Sequence, residues 1–311
     1  MSSVDTQLHA ALARALHGVP HHELRRRVDA LSARYRNEQI NDTTPGMSDD
    51  LDALAYAVVR MPATYHAIHA ALAAVARHVD APINTHLDLG GGTGAAAWAA
   101  AAHWPGLRTE IVERQPAAIH LGKTIAAGNK WRWTTGDLRK WSPGGSTDLL
   151  TIAYVLNELT DDARRALVDA AVRCAQTVVV VEPGTPRGHR HILEARDQLL
   201  AHGFRIAAPC PHEAPCPATW CHFATRLPRT ELRRLLKNGT RNFEDEKFMY
   251  VVATHSPIRT APARVIARPT TPKNRVVLDL CTAAGAAERI VVPKSSELYR
   301  AARRTSWGDA W

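Results

Sequence analysis

The chain has 311 residues, with 39 lysines and arginines against 30 aspartates and glutamates and with 45% apolar residues. These figures fit a soluble chain of two or three domains and exclude a collagen-like or wholly disordered polymer. No apolar stretch approaches the roughly 18 residues that a membrane span needs. The first residues, with Asp5 and Arg14, give neither a secretory nor a transit signal, so the expected location is cytoplasmic and no membrane partner is expected.

From Val4 to His78 apolar residues recur at three and four, as in Leu8, Leu12 and Leu16 and again from Leu51 to Val59, which predicts a helical region over 1–80. Asn41 to Asp50, with Pro45 and Gly46, reads as a loop, and Pro62 opens a helix over 62–78. From Ile83 the texture changes to short apolar runs separated by helix-like spans: Ile83 to Leu89, Glu110 to Val112, Leu149 to Val155 and Val178 to Val181. That alternation predicts a parallel α/β sheet, which Phe248 to Thr254 closes as an antiparallel strand, over 81–255. After Ser256, β-type runs at Arg264 to Ala267, Val276 to Leu280 and Ile290 to Val292 predict a small β-rich appendage over 256–311. It holds ten basic residues against four acidic ones, whereas Met1 to Asp80 holds eight against nine, so most of the charge excess of +9 lies in the tail. A polyanion is the partner such a tail suits.

The most informative stretch runs from Asp88 to Gly94, where a strand ends in D-x-G-x-G-x-G and an alanine-rich helix follows. Gly90, Gly92 and Gly94 let the backbone turn sharply and approach a ligand, and the helix start offers free N–H groups. Glu113, at the end of the next strand, is placed to accept ribose hydroxyls, and Asp137 to meet an adenine amine. Asp88, Asp137 and the reversed last strand resemble class I S-adenosylmethionine methyltransferases. NAD is the rival ligand, because Gly90, Gly92 and Ala95 also satisfy the dinucleotide fingerprint. At the end of the fourth strand, Asn157 and Glu158 are the candidates to orient or deprotonate a methyl acceptor; a helix cap and a surface charge are the plain alternative. The Asn/Asp-Pro-Pro-Tyr box of amino-group methylators is missing there.

Cys210, Cys216 and Cys221 lie within twelve residues, and Cys281 follows far downstream. Four thiols suit one four-coordinate centre that would pin the basic tail to the sheet. Zinc satisfies the same ligands, with His212 or His222 able to replace one, although the spacing does not match a zinc ribbon. Cys174, alone in an alanine-rich helix, reads as a packing residue.

Asp88 to Gly94, the string from Cys210-Pro211-His212 through Cys216-Pro217 to Trp220-Cys221-His222-Phe223, and Glu244 to Tyr250 together resemble one family. It is the methyltransferase-like small-ribosomal-subunit assembly proteins of bacteria and mitochondria. Arg60 to Tyr65 and Trp307 to Trp311 also look like it, so the resemblance spans most of the chain. It implies a Rossmann-like domain, a 4Fe-4S cluster on Cys210, Cys216, Cys221 and Cys281, and association with small-subunit ribosomal RNA or the immature small subunit. Two functions follow as expectations: an S-adenosylmethionine-dependent RNA methyltransferase, or a catalytically silent assembly factor. An NAD-dependent oxidoreductase is the third, weaker reading. Tail lysines and arginines interleaved with Tyr299, Trp307 and Trp311 suit phosphates and unpaired bases, as does the run Arg226, Arg229, Arg233, Arg234 and Lys237.

Overall fold

The computed structural model, which describes residues 3–36, 47–126, 128–236 and 240–311, opens with four helices. They are α1 (Ser3–Ala15), α2 (His21–Arg36), α3 (Asp50–Val59) and α4 (Met61–His78). Asp49 caps α3 by accepting the Asp52 N–H at 2.8 Å, and Pro62 sits in the first turn of α4, as proline does where its missing N–H costs nothing. Asn41 to Gly46 of the loop predicted over Asn41 to Asp50, and Lys237 of the basic run, lie outside the described residues. Helix α4 is buried nearly all round, and it packs on α3 and on the sheet.

Strands β1 (Thr85–Leu89), β2 (Arg108–Glu113), β3 (Arg132–Thr135), β4 (Thr147–Ala153) and β5 (Ala175–Pro183) pair in parallel in the order β3-β2-β1-β4-β5. Beyond β5 the sheet turns antiparallel with β8 (Phe243–Thr254), which also pairs with β6 (Arg205–Ala208) and β7 (Phe223–Pro228). Helices α5 (Ala95–His103), α6 (Pro116–Ile125), α7 (Asp161–Val172) and α8 (Pro186–Ala201) join the strands, and the short α9 (Glu231–Leu236) follows β7. This is the α/β, Rossmann-like sheet with a reversed strand that the sequence predicts. The β4 strand lies two residues earlier than its apolar run, because Tyr154 turns out of the sheet with φ +61°. No helix joins β3 to β4; residues 136–146 are turn and coil.

The helices before residue 80 share one buried core with the sheet, from Leu8 in α1 to Ala253 in β8. The C-terminal part has its own: Ala263, Val265, Val276, Leu278, Leu280, Val292 and Ala302, around β9 (Ala263–Val265), β10 (Arg275–Thr282), β11 (Ala287–Pro293) and α10 (Tyr299–Ala302). The chain end pairs with β9 through backbone bonds between Ala263 and Trp311 at 2.9 and 3.1 Å. Tyr299 and Trp311 pack on that small core and Trp307 meets the His222 ring edge-on, so the three tail aromatics anchor the tail. No described helix is long and apolar enough to cross a membrane.

Candidate functional site

The turn after β1 is forced by packing. Gly90, Gly92 and Gly94 all have positive φ, and a Cβ on Gly90 would stand 2.6 Å from the Val155 side chain. A Cβ on Gly92 would meet nothing within 4 Å, so this is where a ligand can approach the backbone. Gly94 caps α5. Glu113 braces the loop: one carboxylate oxygen accepts the Gly92 N–H at 2.9 Å, and the other accepts the N–H groups of Arg114 and Gln115, each at 2.8 Å.

Asp88 lies beneath the loop, 1% exposed; one oxygen accepts the Thr151 hydroxyl at 2.7 Å, and the other is buried without a partner. Burial pushes its pKa up to about 7, against the pull of the Thr151 bond. Asp137 behaves oppositely: hydrogen bonds from Arg139 hold it down at about 2. Gly90, Gly92, Glu113, Asp137 and Glu158 line one cleft with Tyr154, Val155, Met47 and Tyr56, at the carboxyl ends of β1, β2 and β4, where the strand order reverses. The cleft encloses about 100 Å³. Small-molecule sites usually offer roughly 300–1,000 Å³, so the cleft is narrower than such a site.

The four cysteines of the sequence motif converge. Cys210, Cys216, Cys221 and Cys281 line one small apolar cavity together with Phe223, Met249 and Arg264, bringing the loop after β6 against β10. Burial pushes the thiol of Cys210 up, and the Arg196 and Arg264 guanidiniums oppose it. Burial also raises Cys221 and takes Cys281 to about 12, and in both the neighbouring cysteines add to the rise. His212 Nε2 lies 3.2 Å from the sulfur of Cys281. All five cysteines are free thiols, and among the described residues no group of three or more His, Cys, Asp or Glu is drawn together tightly enough to hold a metal ion.

With both regions located, known proteins can be compared. The family described as mitochondrial small ribosomal subunit Rsm22 matches residues 50–311. This chain belongs to that family. The human mitochondrial ribosome assembly protein METTL17 is 29% identical over 290 residues, which cover 83% of this chain and 62% of METTL17; the match thus spans under two thirds of that relative. Solved structures overlap loosely. An O-methyltransferase family protein from Burkholderia thailandensis aligns at TM-score 0.44 and 13% identity, over 67% of this chain and 61% of its own. The magnesium protoporphyrin IX methyltransferase of Synechocystis, solved with S-adenosylhomocysteine, aligns at 0.39 and 17%, over 64% and 84%.

In this Rsm22-family chain the two predicted acceptor residues part company. Asn157 directs its side-chain amide to Glu182, and its carbonyl accepts from Arg187 at 3.1 Å, so it does not line the cleft. Glu158 does line it, and burial aided by Glu113 raises its pKa to about 7. Glu182, near the end of β5, does not line the cleft but holds the turn after β4. It is fully buried, accepts the Leu156 N–H at 2.8 Å and is pushed up to about 8 by burial. Sequence reasoning missed Arg264. Its guanidinium, in a residue 3% exposed, donates to the carbonyls of Pro209 at 2.9 Å and Gly308 at 3.0 Å, and lies 3.2 Å from His78 Nε2. Among the described residues no carboxylate pairs with it, although it borders the cysteine cavity. No periodicity marks such a residue, because its partners come from residues 78, 209 and 308. Of the predicted basic run, Arg226, Arg229 and Arg233 pair with Asp245 or Glu244.

Proposed function

We propose that this chain is a methyltransferase-like factor of small-ribosomal-subunit assembly, carrying a 4Fe-4S cluster on Cys210, Cys216, Cys221 and Cys281 and S-adenosylmethionine in the glycine cleft. The observation that carries it is the pairing of four thiols with a buried, uncompensated arginine around one cavity. An unpaired buried cation costs several kcal/mol, and a cluster on four thiolates is an anionic occupant that would offset it. Zinc is the alternative occupant of four thiolates, and the C-x5-C-x4-C spacing with one remote partner does not match a zinc ribbon. The cluster would tie β10 to the loop after β6 and hold the C-terminal sheet on the main body.

The open backbone at Gly92 and the positions of Glu113 and Asp137 support a nucleoside there, with Glu113 and Asp137 free to trade their present bonds for ribose and base contacts. Membership of the Rsm22 family and the name of METTL17 support the small subunit and its RNA as partner. Affinity purification of the tagged full chain tests this: enrichment of small-subunit ribosomal RNA and proteins is expected, and their absence beside a folded chain contradicts it.

A second reading, in which the chain also transfers methyl groups, is favoured by Glu158. A carboxylate held near pH 7 at the cleft suits the removal of a proton from an acceptor. Labelled S-adenosylmethionine incubated with immature small subunits decides it. Label in the RNA that Glu158→Gln abolishes supports transfer, and particle binding without label leaves only the assembly role. Calorimetry in which NAD binds and S-adenosylmethionine does not would overturn the choice of cofactor.

A further inference from the structure

A second cavity lies away from the glycine cleft. It is a groove of about 820 Å³ at the opposite, amino-terminal ends of β1, β2, β3 and β4. Its origin is topological. Helices α5 and α6 cover one face of these strands: Gly94 and Gly122 both lie against Trp133 of β3. On the other face α7 and α8 back β5, β6 and β8, and the β3–β4 connection supplies no helix to continue the layer. Strand alternation turns Arg132 and Thr134 away from Trp133 onto that face, where both bond Glu110. The sheet register sets Leu87 beside Glu110, and Thr85 beside Arg108. A face buried in a doubly wound sheet would be apolar; here it carries charge.

From these observations we infer that this groove is a binding site for single-stranded RNA. This rests on the small-subunit reading above and gives that partner a surface. Arg108, Lys130 and Arg132 border the groove against the single acid Glu110, and Arg132 already pairs with it. Among the described residues Arg108 and Lys130 are in no ion pair and are exposed, so both are available to phosphates. Trp141, half-buried and lining the groove, offers ring surface on which an unpaired base stacks, whereas Trp131 packs edge-on against Trp98 of α5. A protein helix would need a continuous apolar stripe, whereas here Arg108, Glu110 and Arg132 interrupt the lining beside Thr85 and Leu87. An A-form duplex presents its bases paired and stacked, with no free base for the indole ring. The loop 141–146, with Gly144 and Gly145, forms one wall and leaves the backbone approachable.

The test is fluorescence anisotropy of the full chain with a short labelled single-stranded RNA and with the duplex of the same sequence. Single strand should bind more tightly than duplex. The double variant Arg108→Glu, Lys130→Glu should lose on the order of tenfold or more, with the salt dependence flattened by about two phosphate contacts. Trp141→Ala should lose on the order of tenfold with little change in salt dependence. Ultraviolet crosslinking of the unaltered chain, which needs no variant to fold, should place RNA on peptides within 128–147. Variants that bind as wild type, a preference for duplex, or crosslinks confined elsewhere would overturn the groove and leave the assembly reading standing. A chain that joins small subunits but has no affinity for RNA would also overturn it, whereas failure to join them is failure of the assembly reading itself.

Discussion

The glycine cleft and the cysteine cavity are built in opposite ways. The turn under the cleft comes from short-range sequence, a strand, three glycines and a helix within twenty residues, and Glu113 braces it by accepting three backbone N–H groups. The cavity draws on residues 210–221 and 281, and on its wall lies Arg264, which pairs with no acid among the described residues. The cleft is therefore stable as it stands, and the cavity calls for an anionic occupant. Perturbing each region should thus have different consequences.

The largest effect is expected from Cys281→Ser, which removes the proposed ligand on the C-terminal sheet. Iron should be lost, and limited proteolysis should cut more readily between β8 and β9; full iron and unchanged cleavage would break the contrast. Arg264→Met sharpens it further. In metal-free protein, loss of an uncompensated buried charge should leave the melting temperature unchanged or higher, while in loaded protein the cluster should be lost several-fold faster under chelator. Equal loss rates in variant and wild type would remove Arg264 from the account.

Gly90→Ala probes the cleft alone. Its φ of +72° and the 2.6 Å approach to Val155 predict a destabilisation of about 1–3 kcal/mol and weaker nucleoside binding, with iron content unchanged. Iron lost along with binding would mean that the two regions are not independent. A pH-dependent effect concerns Glu182, whose pKa burial raises from 4.5 to about 8. A carboxyl raised on folding contributes stability that is complete below the unfolded pKa and is lost as pH rises through the folded one. Relative to Glu182→Gln, the wild type should therefore lose stability between about pH 4.5 and 8, by at most about 1.4 kcal/mol per pH unit, and level off above. A difference independent of pH would show that Glu182 is charged throughout.

The local features were legible. The apolar runs of β1, β4, β5 and the second half of β8 mark the sheet, and glycine spacing marks the turn. Strand β3 is legible only through the loop that carries Asp137, because Arg132, Thr134 and Thr135 are exposed and give it no apolar run; β6 and β7 are short and defined by their pairing with β8. The acceptor pair Asn157 and Glu158 was legible as a position only: Glu182, twenty-five residues on, decides that Asn157 turns away from the cleft. Arg264 and the uncovered groove face could not be read at all, since one depends on contacts across the whole chain and the other on a helix that is not there.

The most direct measurement is iron, acid-labile sulfide and zinc in the chain purified without oxygen. The account predicts about four irons and about four sulfides per chain, with a thiolate-to-iron absorption band that Cys216→Ser removes. One zinc per chain, or a folded chain that reconstitution cannot load with iron, would contradict it.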